Sequence, residues 1–355
     1  MNNVPTLSKG VSKAKHAPNR DSQGISIFTK LTPAQPTKVY DTYWRFAVER
    51  QNIFFARLAN LPFPWTKDEI LKTYKFTNAY RASDRVSQFL IRNVIYSGRQ
   101  EPEEIFFRII LFKTFNRIET WQSLCKSVGD IRFDSFKEAE YDAVLGNIMK
   151  QGIPIYSGAY MMTSGRSFYG KARKHQNHLR MLSAMMKEQV ALKIANARTM
   201  RDVFDLLLSF PTIGYFLAYQ YATDLNYSKL TTFSEMDFVV PGPGAKDGIR
   251  KCFDSLGGFS ETDIIKMVTD RQEAEFGRLG LEFKSLWGRR LQLIDCQNLF
   301  CEVDKYARVA HPDVKGISGR QRIKQKYLRG KAAISPWYPP KWKINDQIQP
   351  KGTSR

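Results

Sequence analysis

Cysteine and histidine are scarce in this 355-residue chain, four of each, and the scarcity excludes several chemistries. Cys125 and Cys252 stand alone, and Cys296 and Cys301 share a C-x4-C spacing inside a helical pattern, which is not a zinc knuckle. They read as reduced core thiols. His175 and His178 in "RKHQNHLR" have no carboxylate or thiolate close in sequence, so they read as a basic solvated helix start, and neither metal nor cofactor is expected. No apolar run approaches the ~18 residues that cross a bilayer, and the N-terminal stretch has no hydrophobic core of a secretory signal. A cytoplasmic address and no membrane contact are expected. There is also no G-x-x-x-x-G-K-[ST], and "GPGAKDG" at Gly242 lacks the lysine-hydroxyl pair that grips phosphate and magnesium. These residues therefore do not carry a P-loop kinase.

What is abundant is positive charge. Lys and Arg number 55 against 34 Asp and Glu, for a net charge of +21 and a pI near 9.8, a field that draws nucleic acid or an anionic membrane surface. With 43% apolar residues the chain should fold, and its length suggests two lobes with tails. Residues 1–37 read as a flexible basic arm and 311–355 as a basic tail with Tyr327, Trp337, Tyr338 and Trp342, suited either to phosphate contact with base stacking or to folding back through "SPWYPPKW". Between them, residues 38–310 repeat apolar positions at three and four, as in Trp44, Val48, Phe55 and Leu58, with Gln51 on the same stripe. Helices are expected near 82–96, 102–117, 119–128, 134–150, 174–195, 199–208, 215–225, 245–254, 260–277 and 286–309, with Thr66 and Glu69 forming a capping box. No strand alternates clearly, so the fold class is all-α.

Three stretches invite chemistry. "SGRSFYGKARK" offers Arg166, Lys171, Arg173 and Lys174 on a glycine-containing loop that suits a DNA backbone, a weak signal alone. "MRDVFDLLLSF", then Pro211-Thr-Ile-Gly214, then "YFLAYQYATDL" has the layout of a helix-hairpin-helix at about 199–225, where N–H groups near Thr212, Gly214 and Tyr215 hold a phosphate. Asp237 follows in "SEMDFVVPGPG", wedged among Met236, Phe238, Val239 and Val240, which places it on an apolar cleft wall with a raised pKa. In "LIDCQNLFCEVDKYA" the apolar stripe Leu293, Cys296, Phe300, Val303 and Ala307 lies opposite Asp295, Asn298 and Glu302, a face that reads as solvated structure.

Phe210, Pro211, Ile213, Gly214 and Ala218 with Asp237 resemble the helix-hairpin-helix DNA glycosylases, although Thr212 replaces the first glycine and the connection to the acid is longer. Phe216 stands where bifunctional members carry their Schiff-base lysine, so the resemblance implies a monofunctional enzyme. "YWRFAVERQNIFFARL", "PWTKDEILKTYKFTNAYRASDRVSQFLI", "SGAY", "EMDFVVPGPGAKDGI" and "LQLIDCQNLFCEVDKYAR" resemble the helical domain of phage DNA-base hypermodification proteins, the 5-hydroxymethyluracil DNA kinase and α-glutamyl/putrescinyl-thymine pyrophosphorylase group. This resemblance implies a two-lobed helix-hairpin-helix glycosylase-like fold with a catalytic loop at about 233–245. The base would be flipped into a cleft lined by Asn78, Tyr80, Arg81, Asp84, Phe216 and Phe238, with Lys246 adding DNA contact. The expected partner is double-stranded DNA with modified bases, met by a monomer. The activity it implies is hydrolytic excision of a bulky hypermodified pyrimidine, for example glucosylated 5-hydroxymethylcytosine, with Asp237 as the catalytic acid and anti-phage defence as the setting. The alternative is a hypermodification transferase acting on a pyrophosphorylated hydroxymethyl pyrimidine, with Asp237 as base toward an incoming amine.

Overall fold

Apolar residues at helical spacing bury one stripe per helix, and the computed structural model, described at residues 32–158, 168–330 and 333–348, realises that pattern as a nearly all-helical chain. Most of the N-terminal arm, Arg166 and the last residues of the tail lie outside the described residues. The helices are α1 (Lys38–Leu58), α2 (Glu69–Thr73), α3 (Arg85–Phe89), α4 (Pro102–Phe115), α5 (Ile118–Val128), α6 (Glu138–Lys150) and α7 (Lys174–Lys187). They continue as α8 (Val190–Ala195), α9 (Met200–Leu208), α10 (Tyr215–Asn226), α11 (Pro243–Cys252), α12 (Glu261–Asp270), α13 (Gln272–Arg278) and α14 (Leu293–Ala310). Two short strands, β1 (Gln35–Pro36) and β2 (Phe253–Ser255), pair antiparallel and tie the start of the described chain to the end of α11.

Local chemistry sets the boundaries. Thr199 with Asp202 and Ser260 with Asp263 form capping boxes that start α9 and α12. The expected box at Thr66 and Glu69 is corrected. Asp68 caps α2 by accepting from the Ile70 and Leu71 N–H groups, and the Thr66 hydroxyl turns to Glu49 instead. Gln189 at φ 53 divides the expected 174–195 helix into α7 and α8.

One group of helices gathers α1, α11, α12 and α14, and the other gathers α4 to α10. A single hydrophobic core runs through both. The closest crossing is that of α11 and α14. A Cβ on Gly248 would lie 1.9 Å from the Phe300 carbonyl oxygen, and one on Gly244 would lie 2.4 Å from Cys301 Sγ. The glycines of "GPGAKDG" thus let two helices touch, which is a packing role. Among the described residues no helix is long and apolar enough to cross a membrane.

Candidate functional site

Helix α9 buries Val203, Phe204 and Leu207 and ends at Ser209, and the chain reverses through Phe210–Gly214 into α10. Ile213 is buried and anchors the turn. Thr212 sits at φ 72, the left-handed region in which a β-branched residue is strained, so the backbone form that favours glycine is kept without one. Gly214 is the N-cap of α10 and no side chain caps that end. A Cβ at Gly214 would meet nothing within 4 Å, and Gly214 and Tyr215 are exposed at the start of α10.

Beside this turn lies a groove of about 360 Å³, formed by Arg201 and Phe204 of α9, Tyr215 of α10, residues 238–241, and Thr262 and Lys266 of α12. Phe204 packs against Phe238 with ring centroids 5.2 Å apart and against Tyr215 at 5.9 Å. The Arg201 guanidinium lies over both phenylalanine rings, 5.9 Å from Phe204 and 5.7 Å from Phe238. Cations above an apolar, aromatic floor suit a nucleic-acid strand, with the charge taking phosphate and the rings taking bases. Tyr215 and Phe238 are legible in the sequence as candidates. Arg201 and Lys266 are not, although Arg201 and Phe204 at i, i+3 on a capped helix are the signal that could have found the first of them.

Asp237 is exposed, which corrects its expected place on an apolar wall. The turn at 235–237 instead points its other acid inward. Glu235 is buried, and its Oε1 accepts from Arg289 Nη2 at 2.7 Å and from Trp342 Nε1 at 3.1 Å. Asp237 immediately precedes Phe238, at the edge of the groove.

"FTNAYRASDR" does not line an open pocket. Tyr80 is buried, donates to the Arg289 carbonyl at 2.5 Å and accepts from the Leu286 N–H at 3.2 Å. Asn78 accepts from Arg50 and donates to the Ser83 carbonyl, and its own N–H donates to Asp84. Arg81 pairs with Asp224 at 2.7 Å, and Lys113 reaches the other Asp224 oxygen at 3.1 Å. All three are buried. Burial alone would raise the Asp224 carboxyl, but the two cations outweigh it and hold it below the usual range. The pocket expected from Asn78, Tyr80, Arg81 and Asp84 is therefore corrected to a buried polar hub, because each side chain is used up by internal partners. The expected solvated face of α14 belongs to the same hub. Asp295 accepts from the Arg81 N–H at 2.8 Å and Glu302 accepts from the Thr77 N–H at 2.9 Å.

Burial pushes the carboxyls of both Asp84 and Asp295 up to about 7. An acid whose folded value exceeds its unfolded one binds protons preferentially in the fold, so its contribution is present at low pH and is lost as pH rises through about 7. Asp84→Asn, which keeps an oxygen for the Asn78 N–H, is expected to flatten the decline of the urea midpoint between roughly pH 4 and 7. An unchanged slope would mean that Asp84 is ionised throughout.

The remaining expected DNA contacts are dispersed. Lys171, Arg173 and Lys174 stand at the start of α7, where Lys174 Nζ lies 4.6 Å from the centroid of the Tyr156 ring and Lys171 and Arg173 are tied to Asn177 through their backbones. The hairpin touches α7 through the Thr212 hydroxyl and Met181 Sδ at 3.7 Å. Lys246 is exposed on α11, and the Phe216 ring packs over Gly242, where a Cβ would lie 3.0 Å from it. His175 is no solvated helix start, since it is buried with Nε2 2.7 Å from Asp142 Oδ1. Among the described residues no cluster of His, Cys, Asp and Glu could hold a metal ion.

Known proteins offer a frame for this geometry. The family described as 5-hmdU DNA kinase, helical domain, matches residues 37–316. The chain is 30% identical over 303 residues to the 5-hmdU DNA kinase of Bacillus phage SP10, a match that takes in 79% of this chain and 47% of that protein. The chain thus spans about half the length of the curated relative it matches. No solved structure matches. These findings overturn the expected glycosylase: the relative is named for a kinase, an enzyme that transfers a phosphoryl group, and not for a hydrolase of N-glycosyl bonds. With the match running from just before α1 to past the end of α14, the chain belongs to the family of 5-hmdU DNA kinase helical domains.

Proposed function

We propose that this chain is a DNA-base-handling module of the transferase class, which binds DNA and presents a 5-hydroxymethyl pyrimidine for chemistry at its 5-methylene group. The observation that carries the reading is that every element of the Arg201–Phe238–Lys266 groove lies within the family match. The relative is named for 5-hmdU in DNA, and the basic aromatic groove next to the exposed start of α10 has the chemistry to take a strand. These 355 residues hold no G-x-x-x-x-G-K-[ST], so ATP-dependent phosphorylation is not assigned to them.

In the transfer step, the nitrogen of an incoming amine forms a bond to the 5-methylene carbon of a pyrophosphorylated base. The carbon–oxygen bond breaks, and pyrophosphate leaves with its electron pair. The amine proton passes to a carboxylate, the role proposed for the exposed Asp237. Thr212, Gly214 and Tyr215 position the backbone, while Lys171, Arg173, Lys174 and Lys246 add salt-dependent affinity.

The test is fluorescence anisotropy with duplexes carrying thymine, 5-hydroxymethyluracil or its pyrophosphoryl ester at one site, followed by nucleoside mass spectrometry after addition of a diamine. Binding at least tenfold tighter to a modified duplex, with an amine adduct from the ester, is the expected result. Equal affinity for all three duplexes and no adduct would refute the reading. Arg201→Ala/Lys266→Ala is expected to weaken duplex binding and to lower the slope of log K against log salt by about two, because each cation removed leaves one phosphate with its own counterion.

A further inference from the structure

Residues 333–348 lie beyond residue 316, where the family match ends, yet the groups they dock on lie within it. Tyr338 is buried and its hydroxyl meets that of Ser83 at 2.8 Å. Lys341 Nζ donates to the Ser228 and Thr231 carbonyls at 3.1 and 2.9 Å and also to that of Asn226, satisfying the end of α10. The Trp337 N–H donates to Gln88 Oε1 at 2.7 Å. These bonds hold the segment without Trp342.

Trp342 is held differently. The Arg289 guanidinium lies 3.8 Å from its ring centroid, Tyr338 stacks on it at 5.8 Å and 21°, and Tyr227 meets it edge-on at 5.7 Å and 87°. Its N–H donates to Glu235 Oε1, the oxygen that also accepts from Arg289. Stacking on an aromatic and a guanidinium, with an edge N–H read by a buried carboxylate, is the arrangement by which proteins hold an unpaired base. A buried carboxylate needs donors. A group that takes the place of the indole and keeps both its stacking and its bond to Glu235 brings a planar face and an N–H of its own. The imide edge of a uracil ring carries one N–H, which can replace the indole N–H at Glu235 Oε1 while the Arg289 guanidinium lies over the ring face.

We propose that the recess formed by Glu235, Arg289, Tyr227 and Tyr338 is a binding site for the imide edge of a 5-substituted uracil, and that Trp342 fills it in cis as an exchangeable stand-in. The proposal rests on the DNA-base reading above for its ligand, and it differs from that reading in naming a second site with its own occupant. The family part of the chain supplies most of the recess, and the segment beyond the match supplies the plug.

The experiment compares wild-type protein, Trp342→Ala and Trp342→Ala/Glu235→Gln by isothermal titration with thymidine and with N3-methylthymidine, which lacks the N–H. Trp342→Ala is expected to bind thymidine at least tenfold tighter than wild type, with the gain absent for N3-methylthymidine and absent in the double variant. Thymidine binding no tighter in Trp342→Ala than in wild type, with thermal unfolding still cooperative, overturns the proposal. Should Trp342→Ala fail to fold, Trp342→Phe keeps a ring but not the N–H, and the same comparison applies, with a gain supporting the recess and no gain overturning it. Duplex anisotropy on the same proteins separates the two readings. Thymidine binding without duplex binding keeps the recess and removes the DNA module, and duplex binding without any thymidine gain does the reverse.

Discussion

Arg81→Met is expected to lower the folding free energy by about 3–5 kcal/mol, the cost of leaving a fully buried carboxylate short of a partner. Arg81 donates to Asp224, to Gln220 and to Tyr227, and its guanidinium lies 5.5 Å from the centroid of the Tyr227 ring. Lys113 would remain as the one cation at Asp224, bonded to a single carboxylate oxygen at 3.1 Å, and the oxygen that Arg81 held at 2.7 Å would lose its charged donor. Urea denaturation at pH 7 measures the loss. Arg81→Met/Lys113→Met/Asp224→Asn, which removes all three charges, is expected to recover part of it, because no buried charge is then left unpaired. A triple variant no more stable than the single one would show that the cluster contributes through packing instead of charge. The result bears on function, since a residue of a flipped-base pocket would leave stability nearly unchanged when truncated, whereas a residue of the hub would not.

Gly248→Ala is expected to cost about 3 kcal/mol, the upper end for forcing one carbon into a packed interior. The added Cβ would meet the Phe300 carbonyl oxygen at 1.9 Å, and its carbon at 2.6 Å, and backbone in the middle of α14 cannot swing aside. Gly244→Ala is expected to cost less, because the nearest atom there is a side-chain sulfur that can rotate. The same urea series checks the order of the two. If Gly248→Ala is as stable as wild type, the α11–α14 crossing must be looser than its geometry. A phosphate-cradling loop would give the opposite pattern, with stability kept and ligand binding abolished.

The helices were legible because their signals are local. The three-and-four spacing along α1 depends on residues within a turn of one another, whereas the expected Thr66–Glu69 cap gave way to Asp68 because Thr66 found Glu49 on α1. Basic composition is likewise a sum over the chain and requires no fold. The hub was not legible. The acid that receives the Arg81 N–H is 214 positions away, the acid that pairs with its guanidinium is 143 away, and both look in sequence like polar faces of amphipathic helices. A polar face turned inward and one turned to water have the same periodicity, and only the partner decides which it is. Asp237 and Glu235 carry the same lesson at short range, since two acids two residues apart take opposite environments when one of them finds a guanidinium.

What the sequence by itself determined is the helical class, the family membership carried by long motifs, the turn before α10 and the strongly basic charge, all properties of neighbours or of sums. The tertiary structure alone decided that "GPGAKDG" is a helix crossing, that "FTNAYRASDR" is interior, that Arg201 and Lys266 share a groove with Phe238, and that Trp342 rests on Glu235. Those depend on which distant side chains satisfy a buried charge or fill a gap, and burial is a property of the packed chain and not of any segment of it.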